Sequence, residues 1–333
     1  MVTWLDRVQQ RSRFAGFVIA VIYKYLDDQG TYLAALLTYY AFVSLFPLLL
    51  LLTTTLGVLL WNRPEWRAQI VDSAISQFPL IGDQLSRPES LSGGSTAVVI
   101  GILGALYGGL GVGQALQNAM DTVWAVPKFV RRDPIKSRVH SLLLLVILGS
   151  ALVGTTLLTG LGKNWANLGV FGTAGVVAGS VAMNTAVCAV AFRVTTVRPL
   201  RWGQVLPGAV IAAALWQILQ WFGATYVSHV VASASVTNSV FAIVLGLLAF
   251  LYLVSTSLML CAEINVVRVD RLHPRALLTP FTDNVDLTDA DRKAYAGQVE
   301  AQRAKSFQQV DVTFGDEGQE GEPEASMKPA ESA

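Results

Sequence analysis

The sequence predicts an all-α fold, in which a polytopic membrane protein forms a bundle of six transmembrane helices. Of its 333 residues, 53% are hydrophobic and only 14% are charged, whereas soluble domains carry about a quarter charged residues. The mean hydropathy of +0.50 is correspondingly high. Most of the charged residues also lie between long apolar runs rather than within them. These three observations exclude an ordinary soluble domain.

The first apolar run is too short to cross a bilayer. Residues 14–23 read FAGFVIAVIY with charged residues on both sides, whereas a spanning helix needs about 20 apolar residues. The run predicts an interfacial helix that lies along the membrane, within an N-terminal segment of residues 1–33. A short seventh span at 14–26 is the alternative. No small-residue cleavage pattern follows an apolar core, so we expect no removable signal peptide.

Six later runs are long enough to span the membrane, and together they define a membrane domain of residues 34–263. Each is long enough for about 30 Å of hydrocarbon. Three spans followed by three spans give two halves of opposite orientation, which is the topology of inverted-repeat transporters, although no sequence repeat accompanies it. The predicted spans are 34–60, 95–119, 139–162, 168–192, 204–231 and 238–263.

The basic residues of the connecting loops predict the orientation of the chain. Lysines and arginines number four in the N-terminal segment, five in the loop at 120–138, three in the loop at 193–203, and three at the start of the C-terminal tail. The loops on the other side carry three, one and none. Because short basic loops stay in the cytoplasm, both termini are predicted to be cytoplasmic.

Two segments outside the spans have a distinct composition. The external loop at 61–94 has apolar residues at helical spacing, which predicts an amphipathic helix on the outer leaflet or over the bundle. The C-terminal tail, 264–333, becomes acidic and poor in apolar residues after about residue 280. This composition predicts a disordered cytoplasmic tail with one short helix near 288–305.

The first span carries polar side chains around a proline. Tyr39, Tyr40 and Ser44 precede Pro47, whose ring removes a backbone hydrogen bond in the middle of the span. We interpret the span as a kinked helix whose concave, polar side faces the bundle interior and lines a cavity. The alternative is that the kink only shapes the packing.

The second span combines glycines with a polar stripe at its cytoplasmic end. Its six glycines favour close helix packing over the alternative, local unwinding beside a cavity. Gln114, Gln117 and Asp121 fall near one helical face, and Asn118 lies beside them. The stripe predicts either the lining of a vestibule or hydrogen bonds between helices, and the spacing is equally compatible with both.

Two more polar side chains lie deep in later spans. Asn184 is in the fourth span, and Glu263 closes the sixth, where a carboxylate is costly unless it faces water or a partner. Arg268 is about one helical turn away, so a structural ion pair is favoured over a role in ion coupling. The candidate transport or cavity-lining residues are Tyr39, Tyr40, Ser44, Pro47, Gln114, Asn118, Asp121, Asn184 and Glu263.

No motif predicts enzymatic chemistry. The three histidines, His140, His229 and His273, are widely separated, and the only two cysteines lie inside apolar runs. Metal and nucleophilic sites need clustered ligands or a base within hydrogen-bond reach. We therefore expect no catalytic residue, no metal, no cofactor, no disulfide and no nucleic-acid partner.

Four segments resemble the YihY/BrkB family of bacterial inner-membrane proteins. They read YLAALLTYYAFVSLFPLLLLL, ALQNAMDTVWAVP, LPGAVIAAALWQILQWFGATYVSHV and LAFLYLVSTSLMLCAEINVV. The likeness runs from about residue 20 to 270 and departs at 232–240, where ASASVTNSV replaces a turn that contains Tyr-Gly in many relatives. The resemblance implies a six-span bundle in the cytoplasmic (inner) membrane.

Some members of that family have carried a ribonuclease BN label, and this sequence argues against such an activity. A ribonuclease of the metallo-β-lactamase type needs a soluble domain with clustered His and Asp ligands, and the sequence has none. Transport, virulence-related and envelope roles have been proposed for relatives, without an agreed substrate.

Among functions, the sequence favours a transporter or lipid-translocating protein of unidentified substrate. Its partners are then the lipid bilayer and, if the basic loops attract it, an anionic lipid or small anionic solute. The alternative is a non-transporting envelope scaffold that recruits partners through the basic loops and the acidic tail. A membrane-bound enzyme is the third and least favoured hypothesis. No feature predicts the oligomeric state.

Overall fold

A computed structural model of the chain describes residues 12–59, 95–165, 170–226, 236–276 and 287–314. Within these residues it contains eight α-helices, one short 3-10 helix (Lys128–Val130) and no strand, which confirms the all-α fold class. The α-helices are α1 (Arg13–Asp27), α2 (Gly30–Leu59), α3 (Ser95–Val123), α4 (Pro134–Trp165), α5 (Val170–Thr195), α6 (Trp202–Tyr226), α7 (Val236–Asp270) and α8 (Asp289–Ala301).

Helices α2 to α7 form a closed ring. Each of them packs against the next helix along the chain, and α7 returns to pack against α2. Helix α3 also contacts α5 and α7 across the ring, so it is the most central member. Neighbours in sequence are thus neighbours in space, which is the usual arrangement of consecutive secondary-structure elements.

Four helices hold an apolar stretch long enough to cross a membrane within the described residues. These helices are α4, α5, α6 and α7, and their stretches are 18 to 27 residues long. Helix α2 contributes a shorter apolar stretch, Gly30–Leu45. The chain is therefore a multi-pass membrane protein, while the count of six spans stays a prediction.

One end of the ring gathers several chain segments rich in arginine and lysine. Lys24 of α1 reaches the backbone oxygen of Val123 at the end of α3, at 3.1 Å. Arg198, in the loop after α5, binds both carboxylate oxygens of Asp270 at the end of α7, at 2.7 and 2.8 Å. The loops after α1, α3, α5 and α7 therefore lie together, and we call this end of the molecule the basic end.

Helix α1 joins the ring through one face only. Its first turn is capped by Ser12, whose hydroxyl accepts from the Ala15 amide at 3.3 Å. Its buried face, which includes Gly16 and Ala20, packs mainly against α7. Between residues 14 and 26 every exposed side chain is apolar: Phe14, Val18, Ile22 and Leu26. An exposed apolar stripe of this kind is stable in contact with lipid.

A tight turn connects α1 to α2. Gln29 adopts a positive φ of 56°, a conformation that few residues other than glycine adopt. The next residue, Gly30, lies so close to the ring of Tyr25 that a Cβ atom there would overlap it. The turn places Asp28 directly under the last turn of α1, where its amide donates to the Lys24 carbonyl at 3.0 Å.

The glycines of α3 allow its neighbours to approach closely. A Cβ atom at Gly108 would overlap Ser44, and one at Gly111 would overlap the ring of Tyr40, both on α2. On the other side, Gly113 faces Ser141 of α4 in the same way. These contacts support the packing interpretation of the glycine-rich span, because small residues let helices pack tightly where lipid provides no hydrophobic driving force.

Helix α6 contains Pro207 inside its second turn, and side chains of α7 donate to and accept from the backbone there. Pro207 has no amide hydrogen, so the Gly203 carbonyl loses its helical donor. Arg268 donates to that carbonyl instead, at 2.5 Å. The Asn265 amide accepts from the backbone of Gly208 at 2.8 Å and donates to the carbonyl of Val205 at 3.1 Å.

The tail also contains ordered structure. The predicted short helix near 288–305 is confirmed as α8, which begins with a capping box between Thr288 and Asp291. Asp291 also binds Arg275 at 2.8 Å, which anchors α8 to the bundle. The predicted amphipathic helix at 61–94 and residues 315–333 lie outside the described residues.

Candidate functional site

A cluster of three charged side chains lies buried at the basic end, and we call it the junction cluster: Lys24, Asp28 and Glu263. Glu263 projects from the last third of α7 and is 0% exposed. Lys24 comes from α1, and Asp28 from the turn that follows it; both are also buried. The cluster therefore joins the N-terminal helix to the last helix of the ring, at a position with no access to water.

Within the junction cluster the lysine donates hydrogen bonds, whereas the glutamate accepts none from the described residues. The Lys24 ammonium donates to the Asp28 carboxylate and to the Val123 carbonyl. Its distance to the nearer Glu263 oxygen is 3.8 Å, which is an ion pair without a hydrogen bond. Neither carboxylate oxygen of Glu263 accepts a hydrogen bond from any residue that the structure describes.

The charges of the cluster perturb one another. Burial alone would lower the pKa of Lys24, but the negative charges of Glu263 and Asp28 outweigh it and raise that pKa above its ordinary value. Burial raises the pKa of Asp28, although the ammonium of Lys24 opposes the shift. Two carboxyl groups and one ammonium thus share a volume from which water is excluded, where each uncompensated charge is costly.

A second ionic group, which we call the arginine bridge, adjoins the cluster and consists of Asp27, Arg275 and Asp291. The Arg275 guanidinium donates to Asp27 at 2.5 Å and to Asp291 at 2.8 Å. Its side chain is 1% exposed and lies against the rings of Tyr23 and Tyr295. Since Asp27 is adjacent to Asp28 in sequence, the bridge ties helix α8 to the junction cluster.

The polar stripe of α3 makes hydrogen bonds to neighbouring elements. Asp121 accepts from the Val197 amide at 3.0 Å and from the Thr196 hydroxyl at 3.1 Å. The Gln117 amide donates to Ser141 of α4 at 3.0 Å. Asn118 is exposed and accepts from Arg131 at 3.0 Å. These contacts favour the interpretation of the stripe as hydrogen bonding between elements. Gln114, on the same helix, is half-buried.

The polar residues of the first span pack against α3, away from the junction cluster. Tyr39 is 54% exposed and its ring meets that of Tyr40 edge-on, with centroids 5.2 Å apart. Ser44 is buried and donates to the Ala41 carbonyl in its own helix at 3.0 Å. Pro47 does not end α2, which continues to Leu59. The kink stays a prediction, as does a cavity lined by these residues.

The expected partner of Glu263 is corrected by the structure. Arg268 turns away to the carbonyls of Gly203 and Gln204 in α6, where it compensates for Pro207. The nearest cation to Glu263 is Lys24 instead. A spacing of five residues along one helix does not place two side chains on the same face, because 3.6 residues make a turn. Asn184, the other deep polar residue, is half-buried on α5.

Sequence reasoning identified only Glu263 among the six members of the two ionic groups, and it missed Lys24 and Asp28 of the junction cluster and all of the arginine bridge. One signal was available for the first two. A lysine inside an apolar run, followed by carboxylates three and four residues later, is the spacing of an internal helical ion pair. Arg275 offered no such signal, because it lies in an irregular segment and its partners are 248 and 16 residues away.

The geometry limits what the site can do. A buried carboxyl group without a donor can take up a cation or a proton, and a change in its charge alters the pairing of the lysine beside it. In a membrane helix an ionisable residue of this kind indicates a functional site. The elements that meet there are α1, α3 and α7, with α8 attached through the arginine bridge, and such a change would act on all of them.

Comparison with known proteins gives one match. A model of the protein family described as Virulence factor BrkB matches residues 21–283. The matched region contains α2 to α7, the whole junction cluster and Arg275, and it ends before α8. No curated protein sequence and no solved structure gives a match to this chain.

Proposed function

Because the chain belongs to the Virulence factor BrkB family, we propose that it is an inner-membrane transporter or lipid-translocating protein. The family model matches residues 21–283, and this range includes every helix of the ring. The proposal includes no catalytic step, since the described residues offer polar groups for binding and charge transfer rather than an activated nucleophile. The substrate class that the basic end fits best is an anionic lipid headgroup or a small anionic solute.

The junction cluster is the observation that carries the proposal. A structural protein gains little from a carboxylate at 0% exposure that accepts no hydrogen bond from the described residues, because its burial costs free energy without a compensating contact. Transport proteins in contrast use such groups, whose charge changes during the cycle. Glu263 lies in Val244–Asp270, a stretch of 27 residues that is apolar and long enough to cross a membrane, which supports a role within the membrane domain.

The orientation follows from the basic end. The loops that the structure gathers there carry more arginines and lysines than the loops on the opposite side of the spans. Short basic loops are retained in the cytoplasm. We therefore place the basic end, the N-terminal segment and the tail on the cytoplasmic side of the inner membrane.

Reconstitution into liposomes tests the transport hypothesis. We expect the wild-type protein to speed the exchange between leaflets of fluorescent phosphatidylglycerol, or to carry a small anion out of loaded vesicles. Glu263→Gln should remove most of this flux, whereas Glu300→Gln, the same chemical change at a half-exposed glutamate of α8, should retain it. Tyr39→Phe and Ser44→Ala test the cavity prediction in the same assay. A wild-type protein that moves neither class of substrate would contradict the proposal.

The scaffold alternative is favoured by one observation. The segment after α8 is exposed and carries an aromatic side chain, Phe307, that is 83% exposed. Exposed aromatic residues often contact other proteins. If the protein is a scaffold, the wild-type protein should show no flux in liposomes, and deletion of residues 302–333 should abolish its cellular function. A transporter should largely survive this deletion, because α8 and the arginine bridge remain.

A further inference from the structure

The charge balance of the junction cluster is the starting point. With all three groups ionised, one ammonium faces two carboxylates, and the volume holds one uncompensated negative charge. The adjoining arginine bridge gives no compensation, because Arg275 already faces the two carboxylates of Asp27 and Asp291. Unpaired charges buried away from water cost several kcal/mol or more, so groups in this situation change their protonation or bind a counterion.

The hydrogen bonds show which carboxyl group carries the excess. Asp28 accepts from the Lys24 ammonium, whereas both oxygens of Glu263 lack a donor among the described residues. The Lys24 ammonium also donates to the Val123 carbonyl, and its nitrogen lies 3.8 Å from the nearer carboxylate oxygen of Glu263. Glu263 is therefore the buried polar group that needs a ligand.

The ligand that fits this position is a proton. A metal ion would need several oxygen or nitrogen ligands, and in the part of the chain that the structure describes no three His, Cys, Asp or Glu side chains converge in that way. The ammonium of Lys24 would also repel a second cation beside it. A proton needs only one acceptor, and the carboxylate of Asp28 is near enough to interact with Glu263.

We propose that Asp28 and Glu263 hold one exchangeable proton between them, carried by Glu263 in the resting protein. The cluster is then neutral: a Lys24 ammonium, an Asp28 carboxylate and a Glu263 carboxylic acid. As a site for the coupling ion, this inference rests on the proposed transport function, but as a proton site it stands independently. The charged groups around Glu263 are Lys24, Asp27 and Asp28 from α1 and its turn, and the arginine bridge connects them to α8.

Loss of the proton would change the pairing at this junction. A charged Glu263 competes with Asp28 for Lys24, which already lies 3.8 Å away. A shift of Lys24 toward α7 pulls on α1, whose other contacts at this end are the Val123 carbonyl of α3 and, through Asp27, Arg275. The helices α1, α3 and α8 are thus the elements that respond to the protonation of Glu263.

Infrared spectroscopy of the full-length protein in liposomes detects the proton directly. A protonated carboxyl group in an apolar site gives a C=O stretching band that ionised carboxylates lack. We expect a spectrum of wild type minus Glu263→Gln at neutral pH to show this band, and the band to shift in D₂O and vanish in alkaline buffer. Glu300→Gln, the control at the half-exposed glutamate of α8, should leave it unchanged.

A second variant keeps the test decisive if Glu263→Gln fails to fold. In Asp28→Asn the Lys24 ammonium loses its carboxylate partner and becomes free to pair with Glu263, so Glu263 should ionise and the band should disappear. A band that is missing in wild type, or unchanged in Asp28→Asn, overturns the proposal. A band that is removed when choline chloride is replaced by sodium chloride at constant pH overturns it in favour of a sodium site.

The proton site and the transport function can be refuted independently of each other. The band is recorded without any gradient, so it reports the proton site whether or not the protein transports anything. Coupling is tested in the liposome flux assay by imposing a pH gradient, which should change the wild-type rate and leave any residual rate of Glu263→Gln unaffected. A band without gradient-dependent flux would retain the proton site and contradict its role as a coupling site.

Discussion

Asn265 shows how one side chain can secure a contact between two membrane helices. Its amide accepts from the Gly208 backbone and donates to the Val205 carbonyl, at 2.8 and 3.1 Å. Both backbone groups belong to the first turns of α6, next to Pro207. The side chain is buried, so its loss would remove two hydrogen bonds from the contact between α6 and α7.

We therefore expect Asn265→Ala to destabilise the protein by about 1–3 kcal/mol, since two buried hydrogen bonds between α6 and α7 are lost. Thermal unfolding in detergent, followed by the fluorescence of the tryptophans, measures the change. Asn118→Ala is the matched control, because Asn118 is exposed and its amide oxygen accepts from Arg131 in the following loop rather than from the backbone of another helix. Equal melting temperatures for the two variants would contradict the role given to Asn265.

At the scale of helices, the crossing of α6 and α7 depends on a glycine. A Cβ atom at Gly208 would overlap the backbone carbonyl of Cys261 on α7, and backbone cannot move aside as a flexible side chain does. Gly203 lies one and a half turns earlier on the same helix and has open space around it. The two positions therefore separate the effect of helix contact from that of helix propensity.

Gly208→Ala should destabilise the protein by about 1–3 kcal/mol, the usual cost of overpacking a tight contact. Gly203→Ala should be neutral or slightly stabilising, because alanine favours the helix and meets no neighbour. Both variants are compared by thermal unfolding and by gel filtration in detergent. The predicted order is reversed if propensity rather than packing dominates in α6, and that result would refute the close crossing.

A buried guanidinium, that of Arg275, joins helix α8 to helix α1. Arg275 binds Asp27 and Asp291 at once, and a lysine presents no planar fork able to hold both carboxylates. Arg275→Lys should therefore loosen α8 and speed the cleavage of residues 287–301 by trypsin several-fold. Arg201→Lys, at an exposed arginine in the loop after α5, is the control and should leave the cleavage rate unchanged. Equal rates would mean that other contacts hold the helix.

The helices were predictable because lipid leaves an apolar chain few options. Backbone groups without water must bond within a helix, so a long apolar run such as 238–263 fixes a helix from composition alone. The contacts between helices were harder to predict from the sequence. Glu263 and Lys24 meet only because α7 closes the ring beside α1, and no local pattern encodes a pair so distant in sequence. The prediction that Glu263 pairs with Arg268 was wrong for this reason, because Arg268 is close to Glu263 in sequence whereas Lys24 is close to it in space.

Part of the polar chemistry was foreseeable from spacing. The stripe from Gln117 to Asp121 was predicted to line a vestibule or to bond between helices, and the structure shows Asp121 bonded to the loop after α5. The choice between the two interpretations needed the position of Thr196 and Val197, which the sequence of α3 does not contain. The capping box of α8, in contrast, is readable from Thr288 and Asp291 alone, since a cap is a local motif.

At the scale of the whole molecule, the closed ring makes the orientation testable with two cysteines. Lys136, at the start of α4, is exposed at the basic end, whereas Lys163 comes one helix length later, near the opposite end of α4. Cys188 and Cys261 are first replaced by alanine, so that a single introduced cysteine is the only thiol. In intact spheroplasts, a membrane-impermeant maleimide should label Lys163→Cys and leave Lys136→Cys unlabelled.

Inverted membrane vesicles should give the opposite result, because they expose the cytoplasmic face to the reagent. The expected pattern follows from the concentration of arginine and lysine at the basic end, which disfavours its transfer across the membrane. Permeabilised cells, in which both positions should react, provide the control for accessibility. Labelling of Lys136→Cys in intact spheroplasts would place the junction cluster near the outer face, and a proton at Glu263 would then exchange with the external medium rather than with the cytoplasm.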